Sequence, residues 1–180
     1  MQDVVLQHDE ILVSYNVKGL FTNIPVNESI KICQRRLQED ESLSERTALN
    51  VETIITLLRF CLTSTAFQFN NQHYSQIEGV AMGSPVSPVM ADIFMDDFES
   101  KVLANFKDTP RMWKRFVDDV ISVIKRGKEV ELLQYLNKQH DHIQFTMEKE
   151  DSGSQPFMDL RFTRMSGGQL KREVFQIPTH

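Results

Sequence analysis

Cysteine is scarce in this sequence, with two residues, Cys33 and Cys61, in a chain of 180. Both fall in helical patterns and neither has metal-ligand spacing, which excludes a disulfide framework and predicts buried free thiols in a reducing compartment. Long apolar runs are also lacking: none approaches the roughly 18 to 20 residues that span a bilayer. The opening Met1-Gln2-Asp3 carries no basic region followed by an apolar one. The expectation is an intracellular soluble protein or fragment, in nucleus or cytoplasm, with no membrane partner. A basic balance is missing too, since the formal net charge is −5. That excludes a module that coats nucleic acid through Lys and Arg alone, so any polynucleotide contact has to be local or metal-assisted. Histidine offers no zinc site, because His8, His73, His140, His142 and His180 are scattered and only His140 and His142 lie close. The hydrophobic content, by contrast, is 41%, enough to bury one core in a single domain.

Ile11 to Val17 reads as a buried strand, and Asn23-Ile24-Pro25 closes the short segment after it. A helix is predicted from an Asn27 N-cap to about residue 39, with Ile30, Cys33 and Leu37 at helical spacing. A second, capped by Ser44, carries the stripe Val51, Ile54, Ile55, Leu58 and Leu62, which predicts core. Asn70-Asn71 joins two short strands in a tight hairpin. Gly79 to Pro88 forms a shaped loop, and Ser87-Pro88 supplies an N-cap and first-turn proline for a helix reaching about Phe106. Asp92, Asp96, Asp97 and Glu99 read as its wet face. Glu129 to Gln139 reads as a helix, Ile143 to Met147 as a strand, and Phe157 to Arg164 with Leu170 to Ile177 as a hairpin.

Between Trp113-Lys114-Arg115-Phe116-Val117 and Val120-Ile121-Ser122-Val123-Ile124 stand two adjacent acids, Asp118 and Asp119. Aspartate is a poor strand residue and a good turn residue, so the pair belongs at a hairpin tip. Adjacent anions repel, and a divalent cation relieves that repulsion. Arg111, Lys114 and Arg115 precede the tip and read as the exposed face of an edge strand or as a hold on phosphates. Trp113 reads as core or half-core.

Three ordered segments carry a resemblance: Ser14 to Pro25, Gly79 to Pro88, and Phe116-Val117-Asp118-Asp119. Together they resemble a reverse transcriptase palm. Leu20 to Pro25, Ile77 to Pro85, Pro156 to Leu160 and Ile177 to His180 narrow the likeness to the Penelope-like retroelement enzymes. The resemblance implies an α+β fold, with an antiparallel sheet carrying the tip and helices behind it. It implies nucleotidyl transfer with two Mg²⁺ ions, Mn²⁺ being an alternative, on an RNA/DNA template-primer and a deoxynucleoside triphosphate. Asp118 would bridge the metals, Asp119 would support them, and a third carboxylate would stand at position 16. Phe21 would pack under the sugar and exclude a 2′-hydroxyl. Gly79, Met82, Gly83, Ser84 and Pro85 would let nucleotide and template-primer approach, glycine having no Cβ. Given the resemblance, the edge-strand face and a hold on primer phosphates are equal readings of Arg111, Lys114 and Arg115. Asp159, in a segment resembling the primer grip, would serve structure rather than catalysis.

Position 16 is asparagine. Its neutral carbonyl can touch Mg²⁺ but no longer neutralises it. Little or no polymerase activity is therefore expected, and natural drift and a deliberate Asp-to-Asn change leave the same letter. With little chain before position 16 and an end at His180, residues 1–180 are read as one palm fragment largely without fingers and thumb. Remaining polymerase segments or another protein are then the possible partners. The rival reading is a non-catalytic palm that binds nucleic acid or protein.

Overall fold

A computed structural model describes residues 4–175. In chain order the elements are β1 (Glu10–Val17), α1 (Leu20–Asn23), α2 (Val26–Gln38), α3 (Leu43–Arg46), α4 (Val51–Thr63), β2 (Ala66–Phe69), β3 (Gln72–Ser75), α5 (Ser87–Ala104), β4 (Met112–Phe116), β5 (Asp119–Lys125), α6 (Glu129–Leu136), β6 (Phe145–Lys149), β7 (Ser154–Phe157), β8 (Leu160–Arg164) and β9 (Leu170–Val174). The fold is α+β, and the chain divides into two compact units, the first made of the residues before 19 and after 101, the second of residues 19–101. Among the described residues no helix is long and apolar enough to cross a membrane.

The first unit is built on an antiparallel sheet of order β4-β5-β1-β6. The apolar runs of β1 and β5 are central strands, so Leu12, Val13, Tyr15, Val17, Val120, Ile121 and Val123 are buried. Leu6, Leu12, Ile121, Val123 and Phe162 form a cluster that carries the second sheet, β7-β8-β9. Gln155, fully buried on β7, donates from Nε2 to Ser14 Oγ at 2.9 Å. Strand β7 has no counterpart among the expected strands; its Pro156 is tolerated because β7 lies at a sheet edge. The strand expected over 143–147 begins instead at Phe145. The reason is Asn137, which ends α6 and mimics a strand partner, accepting from Phe145 N at 2.7 Å and donating to Phe145 O at 3.1 Å. The predicted pairing to Ile177 and the terminal Ile177 to His180 lie outside the described residues, as does Met1-Gln2-Asp3.

In the second unit α2 starts at Val26 with Pro25 at its N-cap, not Asn27, whose Oδ1 accepts from Arg59 on α4 at 3.0 Å. Proline's fixed φ opens the turn two positions earlier than the asparagine signal. The second helix is broken. Thr47 is extended, Ser44 lies inside the short α3, and Asn50 caps α4 by accepting from Thr53 N at 2.8 Å. Of the stripe on α4 only Leu62 is buried, the rest being half-buried. Ser87 does not cap α5: its buried Oγ has no partner among the described residues, and Val86 O takes the Met90 N–H. The acids of α5 are not simply wet. Asp97 pairs with Arg35 of α2 and with Lys101, Asp96 meets Arg36 at 2.6 Å, and Glu99 is buried. Both cysteines are free, but Cys61 is exposed and Cys33 half-buried rather than buried.

Candidate functional site

Asp118 and Asp119 sit where the sequence put them, at the β4–β5 hairpin. Asp119 is the first residue of β5 and pairs with Phe116, while Val117 and Asp118 make the turn. Val117 has φ +57°, a left-handed conformation that a β-branched residue rarely takes, so the tip is a strained bend held by its neighbours. One such hold is the Val17 N–H, donated to Asp118 O at 2.8 Å.

Strand β1 runs beside β5 in the register Asn16↔Asp119, and its other edge pairs Asn16 with Thr146 of β6. Position 16 is therefore fixed from both sides. Across the first pairing Asn16 Nδ2 donates to Asp119 Oδ1 at 2.9 Å. A cavity of about 470 Å³ opens beside the pair, bounded by Asn16, Asp119 and Glu148 and by Phe157, Met158 and Phe175. Thr146 and Glu148 escape a sequence reading as lining residues because the apolar alternation places β6 two residues early. Met158 is signalled only by the Met158-Asp159 pair, a turn in which Met158 takes φ +53°.

The basic residues before the tip separate. Arg111 is committed to Glu10, donating from Nε at 2.6 Å and from Nη2 at 2.7 Å, with a further bond to Val5 O. The buried Glu10 carboxyl titrates below the usual range because the guanidinium hydrogen-bonds it, which outweighs the opposing effect of burial. Lys114 is exposed on the edge strand β4, and Arg115 donates to Val117 O at 3.3 Å. Trp113 packs against Tyr15, ring centroids 5.2 Å apart, and Phe145, which is the half-core role.

In the second unit the loop carrying Gly79, Met82, Gly83, Ser84 and Pro85 is tied to Phe21. Val80 N donates to Phe21 O at 2.7 Å. Gly79 has φ +71°, and a Cβ there would lie 2.5 Å from Thr22 O and 2.6 Å from Phe21 O. Its missing side chain thus lets the loop dock on the backbone of α1. Gly83, with φ +92°, has open space around it, and Met82 is exposed.

A family model described as reverse transcriptase (RNA-dependent DNA polymerase) matches residues 4–150. The chain belongs to the reverse transcriptase family. No curated protein matches it. Among solved structures, this reverse transcriptase domain is similar to apo telomerase from Candida tropicalis, at a TM-score of 0.70 and 12% identity, over 94% of this chain and 32% of that one. The form of that telomerase truncated from its C-terminal domain gives 0.66 and 16%, over 92% and 35%. Telomerase from Candida albicans, in complex with a TWJ fragment of telomeric RNA, gives 0.67 and 12%, over 94% and 31%. At these identities the likeness is one of fold, and the chain spans about a third of those proteins.

Magnesium and manganese prefer hard oxygen donors, and the reverse transcriptase tip offers two carboxylates. Among the described residues no group of three or more His, Cys, Asp or Glu is arranged to hold a metal. The tip's candidate oxygen donors are thus the carboxylates of Asp118 and Asp119, and Asn16, with its amide donating to Asp119, adds no third charge. The reverse transcriptase loop gives a separate test. Gly79→Ala should lower the stability by about 2 kcal/mol, combining the left-handed penalty with an overlap that lifts the loop off α1. Gly83→Ala should lose only the conformational part, about 1 kcal/mol. Urea unfolding of both decides it, and equal losses would show that the Phe21 contact is not what requires glycine at 79.

Proposed function

We propose that this domain is the palm of a Penelope-like reverse transcriptase, built for RNA-templated DNA synthesis and impaired in it by Asn16. The observation that carries the reading is the Asn16↔Asp119 register, which sets the residue at the family's third acidic position against the acidic tip. Asp118 and Asp119 would hold Mg²⁺, or Mn²⁺, and a bound ion would supply charge stabilisation to the phosphate under attack. By resemblance, Phe21 would select the sugar of the incoming nucleotide, and the Gly79 to Pro85 loop would serve the nucleotide and template-primer. Lys114 and Arg115 serve the phosphates of the primer. Arg111, bound to Glu10, serves the fold. The hydrogen bond from Asn16 to Asp119 favours a second reading alongside, in which the palm still binds nucleic acid without processing it.

Fluorescence anisotropy with an RNA/DNA primer-template tests the binding. With net charge −5, the dissociation constant should fall near the weak, non-specific range of roughly 1 to 100 μM and rise steeply with salt. Lys114→Ala should weaken binding and reduce the salt slope by about one. Tight binding that survives high salt, or a Lys114→Ala variant indistinguishable from the native chain, would reject this account of the surface.

A further inference from the structure

Two neighbouring carboxylates at a strained turn, beside a central strand, need a positive partner or a hydrogen-bond donor if the tip is to persist. Among the described residues the polar group paired with Asp119 is the amide of Asn16, at 2.9 Å. Its strand cannot move away, since β1 is hydrogen-bonded to β5 on one side and β6 on the other, through Asn16↔Asp119 and Asn16↔Thr146. The side chain's orientation matters as much as its identity. An asparagine can present either a carbonyl, which would ligate a cation, or an amino group, which would repel one. Here the amino group is turned to the carboxylate.

We propose that Asn16 is a built-in substitute for the divalent cation: its amide holds Asp119 in place, so the acidic tip assembles without metal and a cation must displace the amide to use that oxygen. The inference rests on the reading of Asp118 and Asp119 as the palm's metal end. Its consequence is opposite in sign to the simple view of Asn16 as a weakened ligand. If the asparagine were a ligand, removing it would weaken metal binding. If it is a competitor, removing it frees Asp119 and strengthens binding.

The same geometry fixes what aspartate would do at this position. Asn16→Asp replaces a donor by a third anion in a seat that the two ladders hold still. Without metal the three carboxylates repel, and with metal they share it. The native chain should be indifferent to chelation, and the variant should depend on the cation for its stability.

The experiment uses the full chain and its Asn16→Ala and Asn16→Asp variants, with Mn²⁺ as the probe, read by calorimetric titration and by thermal melting in EDTA and in Mn²⁺. The native chain should melt at nearly the same temperature in both. Asn16→Asp should melt roughly 3 °C or more below it in EDTA and recover most of that loss in Mn²⁺. Asn16→Ala should bind Mn²⁺ severalfold more tightly than the native chain. Weaker binding by Asn16→Ala overturns the proposal, and so does an Asn16→Asp variant that melts in EDTA at the native temperature or is not rescued by Mn²⁺. Adding Asp118→Ala to Asn16→Asp separates the metal end from the amide. If the double variant keeps the Mn²⁺ rescue, the metal end itself has been misassigned; if it loses the rescue while Asn16→Ala binds weakly, only the role of the amide fails.

Discussion

Primer extension by this domain, once joined to the fingers and thumb segments of a close relative, should rise on the order of a thousandfold when Asn16 is replaced by aspartate. The fused chain that keeps Asn16 should stay near background. The size reflects the charge stabilisation that a well-held metal supplies to the transition state, several kcal/mol, at tenfold per about 1.4 kcal/mol. The added segments serve the test because positioning of a substrate can carry a large share of a barrier, about 7 to 11 kcal/mol. Extension rates measured on one primer-template with saturating Mg²⁺ decide the matter. Equal rates for the two fusions would mean that the carboxylate at 16 is dispensable and that impairment was wrongly inferred from it.

The second large effect belongs to stability. Arg111→Ala removes the guanidinium from Glu10, a residue 5% exposed, leaving its buried carboxylate with the Gln7 N–H at 2.8 Å but no charged hydrogen-bond partner. Loss of one member of a buried pair costs about 3 to 5 kcal/mol, and because the arginine side is itself partly solvated the loss here should lie at the low end, about 3 kcal/mol. Its pH dependence has a definite direction. The Glu10 carboxyl is held below its ordinary value of 4.5 in the native chain. The pair therefore stabilises fully above that value, and its contribution falls as the pH drops below it toward the folded-state value. The gap between native and variant should be widest near pH 7 and narrow steadily below about pH 4.5. Urea unfolding at both ends of that range tests it, and a gap that is constant with pH would show that Arg111 acts through packing alone.

Much of the fold and the tip was legible in the residues. The acidic tip came from turn chemistry, since aspartates between two β-branched runs have few other places to go. The Asn70-Asn71 hairpin came likewise, and both asparagines take positive φ, 49° and 58°. The failures were competitions between adjacent signals. Ser44 and Asn50 are both good caps, and an extended Thr47 between them chose the second. Arg111 looked like its neighbours Lys114 and Arg115 because its partner stands about a hundred positions away, on a strand whose register no local pattern reveals. Gly79 reads as room for a ligand, whereas its left-handed backbone and the carbonyls of Phe21 and Thr22 give it a structural duty. The contact between Asn16 and Asp119 was hidden for the same reason: an identity at one position and its partner's orientation are different kinds of information.

The division of the chain has a consequence for how the molecule comes into being. Strand β1, central in its sheet, is made before residues 19–101, yet its partners β5 and β6 come after the whole of that stretch. On the ribosome β1 has no ladder to join until residues 19–101 and then β5 have emerged. Its apolar side chains stay uncovered through that interval, and closing so long a loop is the slow part of forming such a sheet. Residues 19–101 can collapse first as a block of local contacts. The acidic tip, which needs both β1 and β5, thus forms only after residues 19–101 have been made, and a nascent chain stalled before residue 119 would present an orphaned apolar strand to whatever is nearby.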